Sequence, residues 1–247
     1  MNDELFIVGR ELLSLPSFNI DDYPNGIVIP IDKPYKWTSA DVVRRVKFLS
    51  QRLFKKKNIK VGHAGTLDPL ATGVLLVCLG RATKRAEQLQ SQQKEYIASV
   101  ELGATTPCFD MEKEIDNYYE YKHITKDSLQ SALSGFLGEQ QQVPPLFSAK
   151  LIDGKRAYEL ARAGDNVEMK PSLITIYNID LLEFNLPRVV VKIACSKGTY
   201  IRSFARDLGV ALNSGGYLSG LIRSASGEFK VENCLKIEEV ENLLKHF

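Results

Sequence analysis

The chain has 247 residues, 44% hydrophobic and 25% charged, with a formal net charge of +2. That length can bury a substantial core, as one elaborated domain or two small ones, and the composition is that of an ordinary globular protein rather than a disordered one. No apolar run approaches the ~20 residues of a membrane span, and no early stretch has the form of a signal peptide. The four cysteines and three histidines are scattered without metal-ligand spacing, so the chain reads as cytoplasmic, with no metal and no disulfide framework.

Taken in order, Leu5, Ile7, Val8, Leu12 and Leu13 precede Pro16 and predict a peripheral helix or arm over residues 1–25. Gly26 to Ile31 reads as a strand. Thr38 or Ser39 can cap a helix in which Val42, Val46, Leu49 and Leu53 recur at helical spacing, while Arg44, Arg45, Lys47 and Arg52 fall on its other faces. From Lys33 to Lys60 there are ten basic residues against the single acid Asp41, whereas Asp110 to Glu120 holds five acids and one lysine. A modest net charge thus hides an asymmetry able to draw a polyanion to one face.

VGHAGTLDPLATGVLLVCLG, residues 61–80, follows. Val74 to Leu79 predicts a buried strand, and Tyr96 to Leu102 alternates as a second one. Thr125 or Ser128 begins a helix with Leu129, Leu133, Phe136 and Leu137, with Gly138 at its exit. VPPLFSAKLIDGKRAYELARAG is a Pro-opened loop followed by a short helix ending near Gly164. Val189 to Cys195 is another apolar strand, leading into a helix with Ile201, Phe204, Leu208 and Leu212 on one side. A last amphipathic helix runs from Ile237 to Phe247. Helices and strands are interspersed, which predicts an α/β chain with a mixed sheet.

Two stretches carry candidate chemistry. Asp68 precedes a proline, a common turn initiator, yet Gly62, Gly65 and Gly73 permit close backbone approach to a ligand, and His63 shares the loop. A carboxylate so placed can serve as base, nucleophile or electrostatic stabiliser. No second acid lies between Gly62 and Glu87, unlike the carboxylate pair of glycoside hydrolysis. In CSKGTYIRSFARDLG, residues 195–209, Tyr200 and Arg202 fall at a helix start, where the backbone favours an anion. Tyr200 offers a face for stacking a base, and Arg202 can keep a buried carboxylate ionised.

With these stretches on view, the chain resembles the TruB family of tRNA pseudouridine synthases, which isomerise uridine 55 of the T-loop. GHAGTLDPLATG is similar to that family's catalytic motif, and IDKPYKWTSADVVRRVK to its Lys-Pro and Thr-Ser signature. GRATK, KEYIASVELGATT, VPPLFSAKLIDGKRAYELARAG, CSKGTYIRSFARDLG and LSGLIRSASGEF match further segments, from about Ile27 to Phe229. The resemblance implies an α+β pseudouridine synthase fold, a mixed and largely antiparallel sheet with flanking helices and a central cleft. It implies a catalytic domain over residues 26–247 with an RNA-clamping insertion at about 140–175. About twenty residues follow the Ser-Gly-Glu-Phe segment, too few for the PUA domain of many members, so the form without that domain is expected.

By the same resemblance Asp68 is the nucleophile, Tyr96 and Tyr200 lie against the target base, and Arg202 forms an ion pair with Asp68. Leu221 lines the pocket, Arg223 shares its segment, and His63 enters the T-loop where the flipped uridine leaves its stack. Lys33 is structural within its motif, and Lys84 supports the active site or the RNA backbone. The substrate is the T-stem-loop of tRNA, bound by a monomer that needs no protein partner, cofactor, metal or membrane. Attack at C1′, attack at C6 and elimination all remain open, as does the base for the C5 proton: Tyr96, Asp68 or water. A non-catalytic tRNA chaperone and a nucleoside hydrolase-like enzyme are the alternatives. The intact Asp68, Tyr96 and Arg202 set argues against the first, the missing second acid against the other. After Gly103 the chain departs from the family's Thr-Asp-Thr pattern, reading Ala104-Thr105-Thr106-Pro107-Cys108-Phe109-Asp110.

Overall fold

A computed structural model describes residues 4–10, 15–148, 150–152, 155–157 and 169–245. In chain order the elements are β1 (Phe6–Ile7), β2 (Ile27–Lys33), α1 (Ser39–Leu53), β3 (Val61–His63), β4 (Ala71–Leu79), α2 (Ala86–Ser91), β5 (Lys94–Leu102), β6 (Ala104–Thr105) and β7 (Asn117–Tyr118). Then come α3 (Lys126–Gly135), β8 (Gly138–Gln142), β9 (Leu151–Ile152), β10 (Lys155–Arg156), β11 (Ser172–Asn185), β12 (Arg188–Cys195), α4 (Ile201–Ala211), β13 (Gly216–Ser226), β14 (Phe229–Lys230) and α5 (Ile237–Lys245). The chain forms two compact units: Met1–Glu95 with Ile222–Phe247, and Tyr96–Leu221. It passes from one to the other within β5 and again within β13.

In the first unit β2 lies antiparallel to β4 with Ile27 opposite Leu79, and β3 pairs with the far half of β4. All but one of the nine β4 residues are buried. Period-2 alternation sends Val74, Leu76 and Cys78 to one face, where they join Val28, Ala82, Leu89, Phe229 and Cys234 in a cluster. Leu75, Val77 and Leu79, equally buried, take the other face. With both faces covered, the strand reads as an uninterrupted apolar run. Helix α1 begins at a capping box, in which Thr38 and Asp41 each accept from the other's backbone N–H. It packs Val42, Val46, Leu49 and Leu53 inward and rests against α5. At the edge, the segment read as a peripheral helix or arm contributes a short strand over its first described residues: β1 pairs parallel with β2, Phe6 opposite Ile27. Phe6 packs edge-on against Tyr23, and isolated Leu and Ile side chains in so short a segment gain more from an open sheet edge than from a lone helical turn. Leu12 and Leu13 lie outside the described residues.

The second unit has the strand order β13–β5–β12–β11–β8. β11 and β12 form a long antiparallel hairpin whose register shifts twice, and β8 is antiparallel to β11. Helix α3 packs on β11 and α4, with Phe136 edge-on to Phe204 at 5.1 Å. Gly138 does not close that helix; it opens β8, two residues beyond the helix-capping Phe136. The short helix expected before Gly164 falls outside the described residues. Gly209 sits inside α4, where a Cβ would lie 2.3 Å from the nitrogen of Gly216, so this glycine serves close packing rather than a helix end. The class is α/β: β1 pairs parallel with β2, and the β2–β4, β3–β4, β8–β11 and β11–β12 pairs are antiparallel. No helix among the described residues is long and apolar enough to cross a membrane.

Gly73 marks where the loop meets the sheet. Its φ is +100°, and a Cβ there would meet the carbonyl oxygen of Arg223 at 2.3 Å. Left-handed strain and a backbone clash then add. Gly73→Ala is expected to cost about 3 kcal/mol, read as a lower denaturant midpoint with an unchanged m-value.

Candidate active site

Asp68 stands on a loop whose backbone is held nearly residue by residue. Ala64 donates its N–H to Leu76 O at 2.9 Å. The hydroxyl of Ser39, buried at the start of α1, donates to Leu67 O at 3.1 Å and accepts from Leu67 N at 2.9 Å. The turn itself closes through main chain, Ala71 N–H to Asp68 O at 3.1 Å, with Pro69 in the second position that its fixed φ favours. Gly73 N–H donates to Asp32 Oδ1 at 3.0 Å. The carboxylate-bearing turn is thus shaped by its backbone, and Asp68 is half-buried upon it.

Two buried cations complete the grip. Arg223, 2% exposed, spreads its fork across the loop. Nε donates to Val74 O at 2.7 Å, Nη1 to Thr66 O at 3.3 Å and Nη2 to Gly65 O at 3.1 Å. Lys33, fully buried at the end of β2, donates to Pro34 O at 2.9 Å, Trp37 O at 2.5 Å and Pro69 O at 3.2 Å. Pro69 O also accepts the N–H of Lys36 at 2.9 Å. Burial pulls the Lys33 ammonium down to about 8; the negative charge of Asp68 acts in the opposite sense, and the positive charge of Arg223 in the same sense as burial.

His63 ends β3, half-buried, with Nδ1 enclosed and lacking a hydrogen-bond partner among the described residues. Burial, then the nearby Arg223 charge, pushes its pKa below the usual histidine value, so the ring is neutral at pH 7. Lys84 lies exposed on the 3-10 turn Gly80–Arg85.

Tyr96, Tyr200, Arg202 and Leu221 belong to the second unit. Tyr96 is buried near the start of β5, and Leu221 is half-buried on β13. Tyr200 precedes α4, and its backbone is fixed from both sides by one amide: Gln142 Oε1 accepts from Tyr200 N at 2.8 Å, and Gln142 Nε2 donates to Tyr200 O at 3.1 Å. Arg202, in the first turn of α4, donates to Phe147 O at 2.9 Å and Cys108 O at 3.4 Å. It lies 3.5 Å from the carboxylate of Asp110, both side chains 5% exposed.

Asp110 is a residue that sequence reading missed. It sits in the stretch that departs from the family pattern, which the structure nonetheless shows as a closed turn. Phe109 N–H donates to Thr106 O at 3.1 Å and Thr106 Oγ1 donates to Asp110 O at 2.7 Å, while Phe109 adopts φ 63°. The available signal was the one acid left in that loop with a buried arginine needing a counter-charge. The structure therefore gathers Asp68, His63, Lys33 and Arg223 around one loop, and Arg202, Tyr200 and Asp110 around the start of α4.

Comparison with known proteins gives a consistent picture. A family model described as TruB family pseudouridylate synthase (N terminal domain) matches residues 51–201. A Phocaeicola vulgatus protein named tRNA pseudouridine synthase B is 54% identical over 217 residues, 88% of this chain and 92% of that one. Proteins of the same name from Flavobacterium johnsoniae and Francisella philomiragia are 44% and 43% identical; this chain spans 99% of the former and 70% of the latter, by matches covering 91% and 89% of its own length. Among solved structures, a chain of a Cbf5-Nop10-Gar1 complex superposes with TM-score 0.67 at 28% identity, covering 98% of this chain and 64% of its own. A chain of an H/ACA RNP bound to a substrate RNA containing 2'-deoxyuridine gives 0.64 at 27%, covering 88% and 53%. The chain thus spans between about half and two thirds of those structural relatives.

Titration of Lys33 should separate stability from turnover. Its folded pKa of about 8 lies below the free value of 10.5, so between those pH values the unfolded state holds more protons, and this group's contribution to stability rises with pH. Loss of its third N–H over the same range loosens Pro69. Turnover is expected to fall as pH rises through about 8 while the melting temperature does not. Lys33→Met should lower turnover tenfold or more at pH 7 and show no fall in that window; an alkaline limb identical to wild type would refute the assignment.

Proposed function

The chain belongs to the TruB family of pseudouridylate synthases, and from that premise we propose that it is an isomerase converting uridine to pseudouridine in tRNA, at position 55 of the T-loop. The observation that carries the catalytic reading is the Asp68 turn, whose main chain is clamped by Ser39, Lys33 and Arg223. Such preorganisation spares the carboxylate the cost of being positioned at the moment of reaction. The family resemblance assigns Asp68 as the nucleophile, with Tyr96 and Arg202 as its partners in the reaction.

The reaction breaks the N-glycosidic bond, rejoins the base through C5, releases the C5 proton and protonates the freed N1, so atoms balance without an oxidant, reductant or group donor. Asp68 acts by attack at C1′ or C6, or by assisting elimination at the sugar. Extruding the uridine costs a few kcal/mol of unstacking. Aromatic faces offset part of that, and in this reading His63, Tyr96 and Tyr200 supply them. A neutral His63 suits stacking, because an apolar ring face loses less on leaving water than a charged one. Lys33 and Arg223 act as positioning residues, through the loop rather than on the base. Leu221 lines the base pocket, and Lys84, exposed, meets RNA backbone.

Release of tritium from C5-labelled uridine in tRNA tests this directly. Asp68→Asn keeps the side-chain shape, and turnover should fall about 10⁴-fold or more while RNA affinity changes by no more than a few-fold. Substantial turnover in that variant would sink the nucleophile assignment. If wild type liberates labelled free base the protein is a hydrolase, and if it liberates nothing it is a binder.

A further inference from the structure

The exposed face of α1 and the turn that follows it hold more positive charge than the reaction needs. Ala40, Arg44, Lys47, Phe48 and Arg52 fall at helical spacing on the side opposite the packed residues, Lys55 follows in the turn, and all are exposed. Some cations nearby are already neutralised: Arg44 by Asp41, Arg45 by Glu241, and Lys56 by Asp21. Lys47, Arg52, Lys55, Lys57 and Lys60 carry no ion pair to a described residue. Five like charges in so short a span repel one another and destabilise the fold slightly unless a polyanion meets them.

The patch is also rigidly presented. Phe54 caps α1 and packs edge-on to Tyr23 at 6.2 Å. Lys55 adopts φ 48°, its N–H bonded to Arg52 O at 3.3 Å, and Lys56 N–H reaches Gln51 O at 3.2 Å. The amide of Gln51 donates to Lys57 O, tying the turn back to the helix. Amid the cations Phe48 is 49% exposed, with the guanidinium of Arg52 at 5.4 Å from its ring. Exposed aromatics interleaved with cations suit a sugar–phosphate chain and its unpaired bases. A membrane surface would call for a broad apolar face, and the apolar face of this helix is spent in the core.

Its distance from the Asp68 loop sets what it can touch. Helix α1 is pinned to that loop at its first residue, Ser39 to Leu67, and its 15 residues rise about 22 Å. Lys60 accepts from Gly80 at the far end of β4, again about 26 Å along the strand from Ala71. Along α1 the cations run from about 12 Å (Lys47) to about 20 Å (Arg52) from that pinned end, and the turn carries Lys55 and Lys57 further still, so they face chain other than the uridine held at Asp68.

We propose that Lys47, Arg52, Lys55, Lys57 and Lys60, with Phe48, form a second RNA-binding surface that takes the sugar–phosphate backbone of the tRNA outside the T-arm. This rests on the tRNA-modifying reading above, and the experiment separates the two. The variant Lys47→Ala/Arg52→Ala/Lys57→Ala/Lys60→Ala removes four exposed side chains, leaving Lys55 and its left-handed backbone untouched. Binding of whole unmodified tRNA and of an isolated T-arm stem-loop is measured from 50 to 300 mM salt, with turnover on each. The expected result is at least a tenfold rise in Kd for whole tRNA near 0.1 M salt, and a drop of about 3 in the slope of log Kd against log salt. Affinity and saturating turnover on the stem-loop should stay within twofold, which also shows that the variant folds.

Unchanged whole-tRNA affinity and slope overturn the proposal. Equal loss on stem-loop and whole tRNA overturns its placement outside the T-arm. Loss of binding to phosphatidylserine vesicles with tRNA binding intact assigns the surface to membrane instead. If wild type turns over neither RNA, the catalytic reading fails, and the binding comparison still decides this surface.

Discussion

Two cations sealed from solvent hold the backbone on which Asp68 stands. Burying an ammonium or a guanidinium costs several kcal/mol unless every donor finds an acceptor, and here the acceptors are carbonyl oxygens of the loop itself. Gly65 O, Thr66 O and Val74 O face Arg223, and Pro69 O faces Lys33. The loop thereby satisfies the cations, and the cations keep those carbonyls from turning toward water. Arg223 lies 158 residues along the chain from Gly65. The turn takes this form with the end of β13 lying beside β4.

Arg202 shows the other way of keeping a buried guanidinium. It too bonds carbonyls, of Cys108 and Phe147, but a carboxylate stands beside it in Asp110. Asp110 is itself oriented, Oδ1 accepting the N–H of Glu112 at 3.0 Å. The turn carrying it is pinned further by Leu218 N–H donating to Phe109 O at 2.9 Å, and Arg206 lies 4.8 Å over the Phe109 ring. Thr106, Cys108 and Phe109 close this turn, with Thr106 Oγ1 donating to Asp110 O and Cys108 Sγ 3.4 Å from the same oxygen.

What the sequence made legible follows from how many faces each element buries. β4 and the packed sides of α1 and α4 stand out because their apolar spacing is dense. β11 and β13 do not, since they mix buried, half-buried and exposed residues in no clean alternation, and β11 carries two register shifts that break its period. Asp68, Tyr96, Arg202 and the rest could be named from motifs. The anchoring of Lys33 and Arg223 on loop carbonyls could not, because main-chain acceptors leave no mark in side-chain identity. Asp110 was hidden for a related reason: its partner lies 92 positions away, across a loop whose pattern is unusual.

The charges of this chain divide into two kinds, and their geometry explains why lysine and arginine are not interchangeable among the buried ones. Around Lys33 three carbonyls, from residues 34, 37 and 69, converge on one nitrogen, a demand that a compact ammonium with three donors meets. Around Arg223 the acceptors are spread along a loop and the strand that follows it, from residue 65 to residue 74. Only a planar fork with donors on separate nitrogens spans that distance. The cations along α1 face no such constraint: their task is to be positive, exposed and numerous. The net charge of +2 is the balance of 32 basic and 30 acidic residues over the whole chain, so the total hides the local positive excess along α1 and the negative one around residues 110–120, and it is the distribution that carries information about partners.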